Sequence, residues 1–232
     1  MQQYTYLAIN FFSIIVCFLF SFHPKIRFHQ HFQAFLKSSS MVALPFLIWD
    51  AWFTKIGVWW FNDDYLLGIR WWGLPFEEIL FFICIPFACV FTYFCLNLFF
   101  TFNFIKKVEN WLVWLLIIGF ASISILFYDK IYTFCTFAIA TISIIILKYV
   151  LKIDWLSKAT FVYLLLLPGF FAVNGLLTGT GLESPIVNYN PNNFMNIRIL
   201  TIPIEDSVYG YVLILWNLYF FKKFKNPLSI FQ

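Results

Sequence analysis

Apolar residues run along this chain in long blocks broken by short polar stretches, without the strict alternation of a half-exposed strand. A membrane-spanning helix needs about 20 mostly apolar residues. Seven blocks approach that length, at about 4–22, 38–56, 75–100, 111–128, 131–149, 159–178 and 203–221. Only Asp129 and Lys130 separate the fourth block from the fifth, which predicts a tight helical hairpin. The polar breaks carry turn chemistry: Asn62-Asp63-Asp64, Gly179-Thr180-Gly181 and Asn190-Pro191-Asn192-Asn193. The pattern predicts an all-α fold, a polytopic membrane helix bundle of about seven transmembrane helices.

Composition removes the soluble alternative. The chain is 62% hydrophobic and 11% charged, against about 25% charged residues in a soluble domain. A net charge of +4 arises from short scattered basic clusters, so no nucleic-acid partner is expected. Cys17, Cys84, Cys89, Cys95 and Cys135 all sit inside apolar runs with no C-x-x-C, and read as small buried hydrophobes. His23, His29 and His31 share a basic loop with no accompanying ligand set, so no metal site is expected. The first apolar block lacks a basic leader and a small-residue cleavage site, and reads as a retained helix rather than a signal peptide.

Charge also orients the bundle. Lys25, Arg27, Lys37, Lys106, Lys107, Lys148, Lys152, Lys158, Lys222, Lys223 and Lys225 fall on one side, and only Lys55, Arg70, Lys130 and Arg198 on the other. Cytoplasmic loops carry the excess of Lys and Arg. The expected placement is a bacterial plasma membrane, with the N-terminus outside and the C-terminus cytoplasmic.

The chain repeats itself. Asn62, Arg70 and Pro75 correspond to Asn190, Arg198 and Pro203 at a constant offset of 128 (190 − 62, 203 − 75). The same offset sets Pro75-Phe-Glu77-Glu78 against Pro203-Ile-Glu205-Asp206, and Tyr4-Thr5-Tyr6 against Tyr132-Thr133-Phe134. Leu44-Pro45 pairs with Leu167-Pro168 once a shorter loop is allowed, which brings Asp50 beside Asn174. The expected organisation is a first three-helix repeat over residues 1–100, a connector over 101–130 and a second repeat over 131–232. An intervening connector helix makes the repeats parallel, so both Pro-x-acid-acid motifs fall at one end of the bundle.

Proline is favoured at the first helical position, and acids in the first turn meet the positive end of the helix dipole. One such motif reads as helix-start chemistry. Two in register, each leading an apolar helix, point to function, because ionisable groups at membrane depth are costly. Glu77, Glu78, Glu205 and Asp206 are therefore the candidate catalytic set. Carboxyls brought together do not all ionise, which leaves a proton for a general acid. Asp50, Asn174, Phe81 and Tyr209 are candidate substrate-binding residues, with aromatic rings suited to stabilising a cation. Arg70 and Arg198 are either counter-charges to the acids or interfacial anchors.

Gly73-Leu-Pro75-Phe-Glu77-Glu78-Ile-Leu-Phe81-Phe82 and Thr201-Ile-Pro203-Ile-Glu205-Asp206-Ser-Val-Tyr209 resemble the paired signatures of the small membrane-embedded carotenoid (lycopene) cyclase family. Trp60-Phe-Asn62, Tyr65, Gly68-Ile-Arg70, Pro185-Ile-Val-Asn188-Tyr-Asn190 and Leu167-Pro168 running on to Asn174-Gly175 fit the same pattern. The chain looks like the fused form of a family whose halves also occur as separate subunits. The resemblance implies a lycopene beta-cyclase: acid-catalysed, non-redox closure of the open end groups of lycopene to β-ionone rings. It implies Glu77, Glu78, Glu205 and Asp206 as catalytic residues, without saying which donates and which accepts a proton. The expected partners are a carotenoid polyene and membrane lipid, with association with other enzymes of the pathway left open. With no G-x-G-x-x-G after a strand, no flavin or other cofactor is expected.

Three competing readings remain. A related enzyme would act on C50 carotenoids or trap the same cation with water. A retinal-binding protein would need a lysine within the seventh block, and residues 203–221 contain none. A transporter with parallel repeats would place its acids in mid-membrane rather than near helix ends.

Overall fold

The computed structural model describes residues 2–101 and 106–225, with only the backbone at 106 and 107. Met1, residues 102–105 and the side chains of Lys106 and Lys107 in the expected connector, and residues 226–232 of the expected second repeat lie outside the described residues.

The described chain is a bundle of seven long helices: α1 (Thr5–Phe20), α2 (Phe32–Lys55), α3 (Phe76–Phe99), α4 (Lys106–Leu126), α5 (Ile131–Ile145), α6 (Leu156–Leu177) and α7 (Ile204–Lys225). With the turn before α1 (from Gln2) and the π-helical continuation of α5 (to Val150) included, all but α7 are long and apolar enough to cross a membrane. Side chains such as Phe12, Leu44, Leu115, Ile118 and Leu165 stand exposed on the bundle's outside. An apolar surface of that extent fits lipid and not water. Helix α7 is as long as the others but carries Glu205, Asp206, Asn217 and three lysines in its last turn. It can do so because α2, α3, α5 and α6 pack around it, and Gly210 through Leu215 are buried without a break. An enclosed helix need not be apolar to face lipid.

The tight α4–α5 hairpin forms as expected, and α4 packs chiefly on α5. The start of α2 lies earlier than the apolar run because Gln33 and Lys37 interrupt the pattern without interrupting the helix. Pro45, Pro86 and Pro168 all lie inside helices. A buried bundle tolerates them because neighbouring groups satisfy the freed carbonyls.

One end of the bundle is closed by short strands that the apolar pattern does not announce. Strands β2 (Arg70–Trp71) and β3 (Leu74–Pro75) form a hairpin leading into α3, and β5 (Arg198–Ile199) and β6 (Ile202–Pro203) form its counterpart leading into α7. The first turn uses Trp72 and Gly73 at φ +53° and +83°, the left-handed geometry that fits a two-residue hairpin. Pro75 thus precedes α3 rather than opening it. The first helical N–H groups are satisfied by the loops instead: Phe76 N–H donates to Ile69 C=O (2.9 Å) and Ile204 N–H to Ile197 C=O (3.1 Å). Ahead of each hairpin in the chain lies one further strand, and these two, β1 (Trp59–Phe61) and β4 (Val187–Tyr189), pair antiparallel. Trp60 faces Asn188, the residue 128 positions later (188 − 60), so this ladder pairs each strand with its own counterpart.

Candidate active site

Consecutive residues on a helix point about 100° apart, so two adjacent acids aim in different directions. In α3, Glu78 shares its face with Phe81 and Ile85; in α7, Asp206 shares its face with Tyr209, Gly210 and Leu213. All of these line a single narrow cavity of about 70 Å³ beneath the strands, together with Asp50 and Asn174. Six of the eight residues singled out from sequence meet there: Glu78, Asp206, Asp50, Asn174, Phe81 and Tyr209. Glu77 and Glu205 do not.

Those two acids turn the other way and hold loops. Glu77 Oε1 accepts the N–H of Leu67 (2.7 Å), and Glu205 Oε1 accepts the N–H of Met195 (2.9 Å), at the same offset of 128. Thr133 adds a hydroxyl to Glu205 (2.6 Å), while Asn10 donates to the backbone carbonyl of Glu77 (2.8 Å). Both side chains are fully buried. Each fixes the loop that precedes its own helix.

The cavity acids differ sharply in their partners. Asp206 accepts three side-chain hydrogen bonds: from Tyr132 (2.5 Å) on Oδ1, and from Asn174 (2.7 Å) and Tyr189 (2.8 Å) on Oδ2. Glu78 accepts one, from Tyr6 (2.5 Å). Asp50 accepts one, from the Trp59 indole (2.6 Å), and its Oδ2 is buried without a partner. Three donors match an ionised carboxylate. Burial, and then the Asp206 charge, push the Tyr189 phenol well above the ordinary tyrosine range, so it stays a donor.

Tyr6, Tyr132, Tyr189 and Trp59 were not singled out as site residues by sequence. Tyr6 and Tyr132 do equivalent work on Glu78 and Asp206, which sets the offset in the first helices at 126 (132 − 6) rather than 128. The repeated Tyr-Thr pair, Tyr4-Thr5 and Tyr132-Thr133, marks the neighbourhood but gives the register two residues away. Rings crowd the cavity: Tyr209 lies 4.8 Å from Trp49 and 5.1 Å from Phe46, centroid to centroid, and Trp59 lies 5.2 Å from Tyr132. Ring faces in a dry cavity attract a cation by about 2 kcal/mol.

The arginines are settled by geometry. Arg70 pairs with Asp63 (2.6 Å) and donates to the Gly73 carbonyl (2.9 Å). Arg198 donates to the Thr201 carbonyl and lies 4.8 Å over the Phe194 ring. Each ties its own hairpin turn, and the hydrogen bonds of Glu78 and Asp206 come from other groups. Among the described residues no group of three or more His, Cys, Asp or Glu is arranged to hold a metal, and the five cysteines are free thiols.

Comparison with known proteins places this geometry. No curated protein and no solved structure matches the chain. The family model described as lycopene cyclase matches it twice, over residues 3–96 and 129–224, segments that contain both acid motifs and every cavity residue named above. The chain belongs to the lycopene cyclase family.

Proposed function

We propose that the chain is a lycopene beta-cyclase in which Glu78 is the general acid and Asp206 the base. The observation that carries the assignment is the unequal hydrogen bonding of the two acids across one aromatic cavity. Asp206, with three donors, fits the ionised form; Glu78, with one donor and Asp50 lining the same cavity, fits the protonated form. Glu78 adds its proton to the terminal double bond of the open end group. The neighbouring alkene attacks the cation, a carbon–carbon bond closes the ring, and Asp206 removes a ring proton to restore a double bond. The formula is unchanged and no electron acceptor is consumed. Aromatic rings around the cavity stabilise the cation and keep out the water that would trap it as an alcohol. Glu77 and Glu205 are positioning residues, acting through the loops they hold.

The same reading treats residues 1–100 and 131–232 as parallel repeats about an axis through the β1–β4 ladder, with 101–130 as connector. It also places the protein in a bacterial plasma membrane with its C-terminus cytoplasmic, on the distribution of Lys and Arg.

The test is expression in a bacterial host that accumulates lycopene, with pigments separated by chromatography. β-Carotene from the parent chain, lost in Glu78→Gln and Asp206→Asn with protein still in the membrane, supports the reading. Hydroxylated end groups would make it a hydratase. ε-Rings or unchanged lycopene would overturn the β-cyclase assignment.

A further inference from the structure

The acid cavity has an apolar neighbour. A second hollow, of about 150 Å³, lies between α1, α3, α6 and α7 and shares Phe81, Ile85, Phe170, Asn174 and Ile214 with it. The shared residues set the two hollows side by side, with the acids beyond the common wall. Along α3 its wall is the stripe Phe81, Ile85, Ala88 and Thr92, at the spacing of one helix face. At 1.5 Å per residue this stripe runs about 16 Å away from the carboxyls.

The polar side chains that line this groove are already paired, Asn174 with Asp206 and the hydroxyls with backbone carbonyls. Ser13 donates to the Asn10 carbonyl (2.7 Å), Thr92 to the Ala88 carbonyl (2.8 Å) and Tyr163 to the Ser207 carbonyl (2.5 Å). With those hydroxyls bound to backbone, the surface offered is apolar. On the α6 side the wall includes Gly169, which is exposed on the lipid-facing surface, and a Cβ built there meets nothing within 4 Å. The groove is therefore open sideways to the bilayer at mid-helix.

From this shared wall we infer that the groove over Phe81, Ile85, Ala88, Thr92 and Gly169 is the binding site of the polyene chain. It admits a linear, uncharged isoprenoid laterally from lipid and delivers one end group at a time to Glu78 and Asp206. The inference rests on the functional reading of the acid cavity given above. A larger groove of about 620 Å³, lined by Met41, Pro45, Trp52, Ile139 and Phe220 among others, shares no lining residue with the acid cavity. Phe46 and Trp49, packed on Tyr209, stand between them. It is the control.

The experiment uses the purified full chain in lipid nanodiscs, with lycopene binding read from quenching of tryptophan fluorescence and conversion by chromatography. Gly169→Leu and Ala88→Phe fill the groove and are expected to weaken binding about tenfold, whereas Ile139→Phe in the other groove leaves it unchanged. Unchanged binding in the two groove variants, or an equal loss in Ile139→Phe, would overturn the inference. Should the larger side chains prevent folding, Gly169→Cys is alkylated with a lipid-soluble maleimide and read by peptide mass spectrometry. Lycopene is expected to shield Cys at position 169 and not one introduced by Ile139→Cys; equal labelling with and without lycopene overturns it. Binding with this pattern in a parent chain that leaves lycopene uncyclised would sink the reaction and keep the groove. Cyclisation that survives filling of the groove would sink the groove and keep the reaction.

Discussion

Replacing Tyr132 by Phe removes one hydroxyl from the cavity and almost no volume. The ring still packs 5.2 Å from Trp59 and 6.1 Å from Tyr189, so the perturbation is the loss of one donor to Asp206. If Asp206 works as an anion, that bond is charge-assisted and contributes about 1.5–3 kcal/mol. The expected fall in turnover is roughly 10- to 150-fold. Tyr6→Phe is the matched experiment on Glu78. A bond to a protonated acid is worth about 0.5–1.5 kcal/mol, so the expected fall is only about 2- to 13-fold. Both variants are assayed as purified protein in nanodiscs, with single-turnover conversion of lycopene followed by chromatography. A larger loss in Tyr6→Phe than in Tyr132→Phe would refute the assignment of Asp206 as the ionised member and reverse the two roles.

Other consequences separate positioning from chemistry. Glu205→Gln keeps a carbonyl oxygen for Met195 N–H and is expected to retain most activity, while Asp206→Asn abolishes it; equal losses in pigment assays would contradict the division of labour. Glu205→Ala leaves buried donors unpaired and is expected to cost about 1–3 kcal/mol, read as a lower thermal midpoint in detergent. Arg70→Ala breaks a solvent-exposed pair with Asp63 and should cost less than about 1 kcal/mol, with cyclisation near the parent rate. Gly73→Val forces a β-branched residue to φ +83° and is expected to destabilise the β2–β3 hairpin and thereby Glu78, measured as lost stability and lost conversion together.

Much of this molecule is legible in the sequence, for reasons that particular residues make plain. Spans such as α3 and α6 announce themselves because lipid imposes long uninterrupted apolar runs. The offset of 128 is visible because each hairpin needs its own Arg, turn and Pro. The choice between Glu77 and Glu78 is hidden in a text that sets them side by side. Helix rotation separates them, and the run Glu78, Phe81, Ile85 already marks the face that meets the cavity. The tyrosines are harder to find. In a chain with 12 Tyr and 33 Phe, nothing local distinguishes Tyr132, which meets Asp206 across 74 residues, from one in the lipid belt. The β1–β4 ladder is invisible for a similar reason: three residues pair antiparallel with three others far along the chain, and only the central pair, Trp60 and Asn188, keeps the offset of 128.

The central claim is that this cavity moves protons and no electrons. The direct measurement is conversion of lycopene by the purified chain in deuterated buffer, without added flavin or nicotinamide cofactor, with the product analysed by mass spectrometry. A proton delivered from an exchangeable carboxyl should leave one deuterium in the product for each ring closed, with no other change in composition. Cyclic product without deuterium, or product that carries an added oxygen, would contradict proton-initiated cyclisation at Glu78 and Asp206.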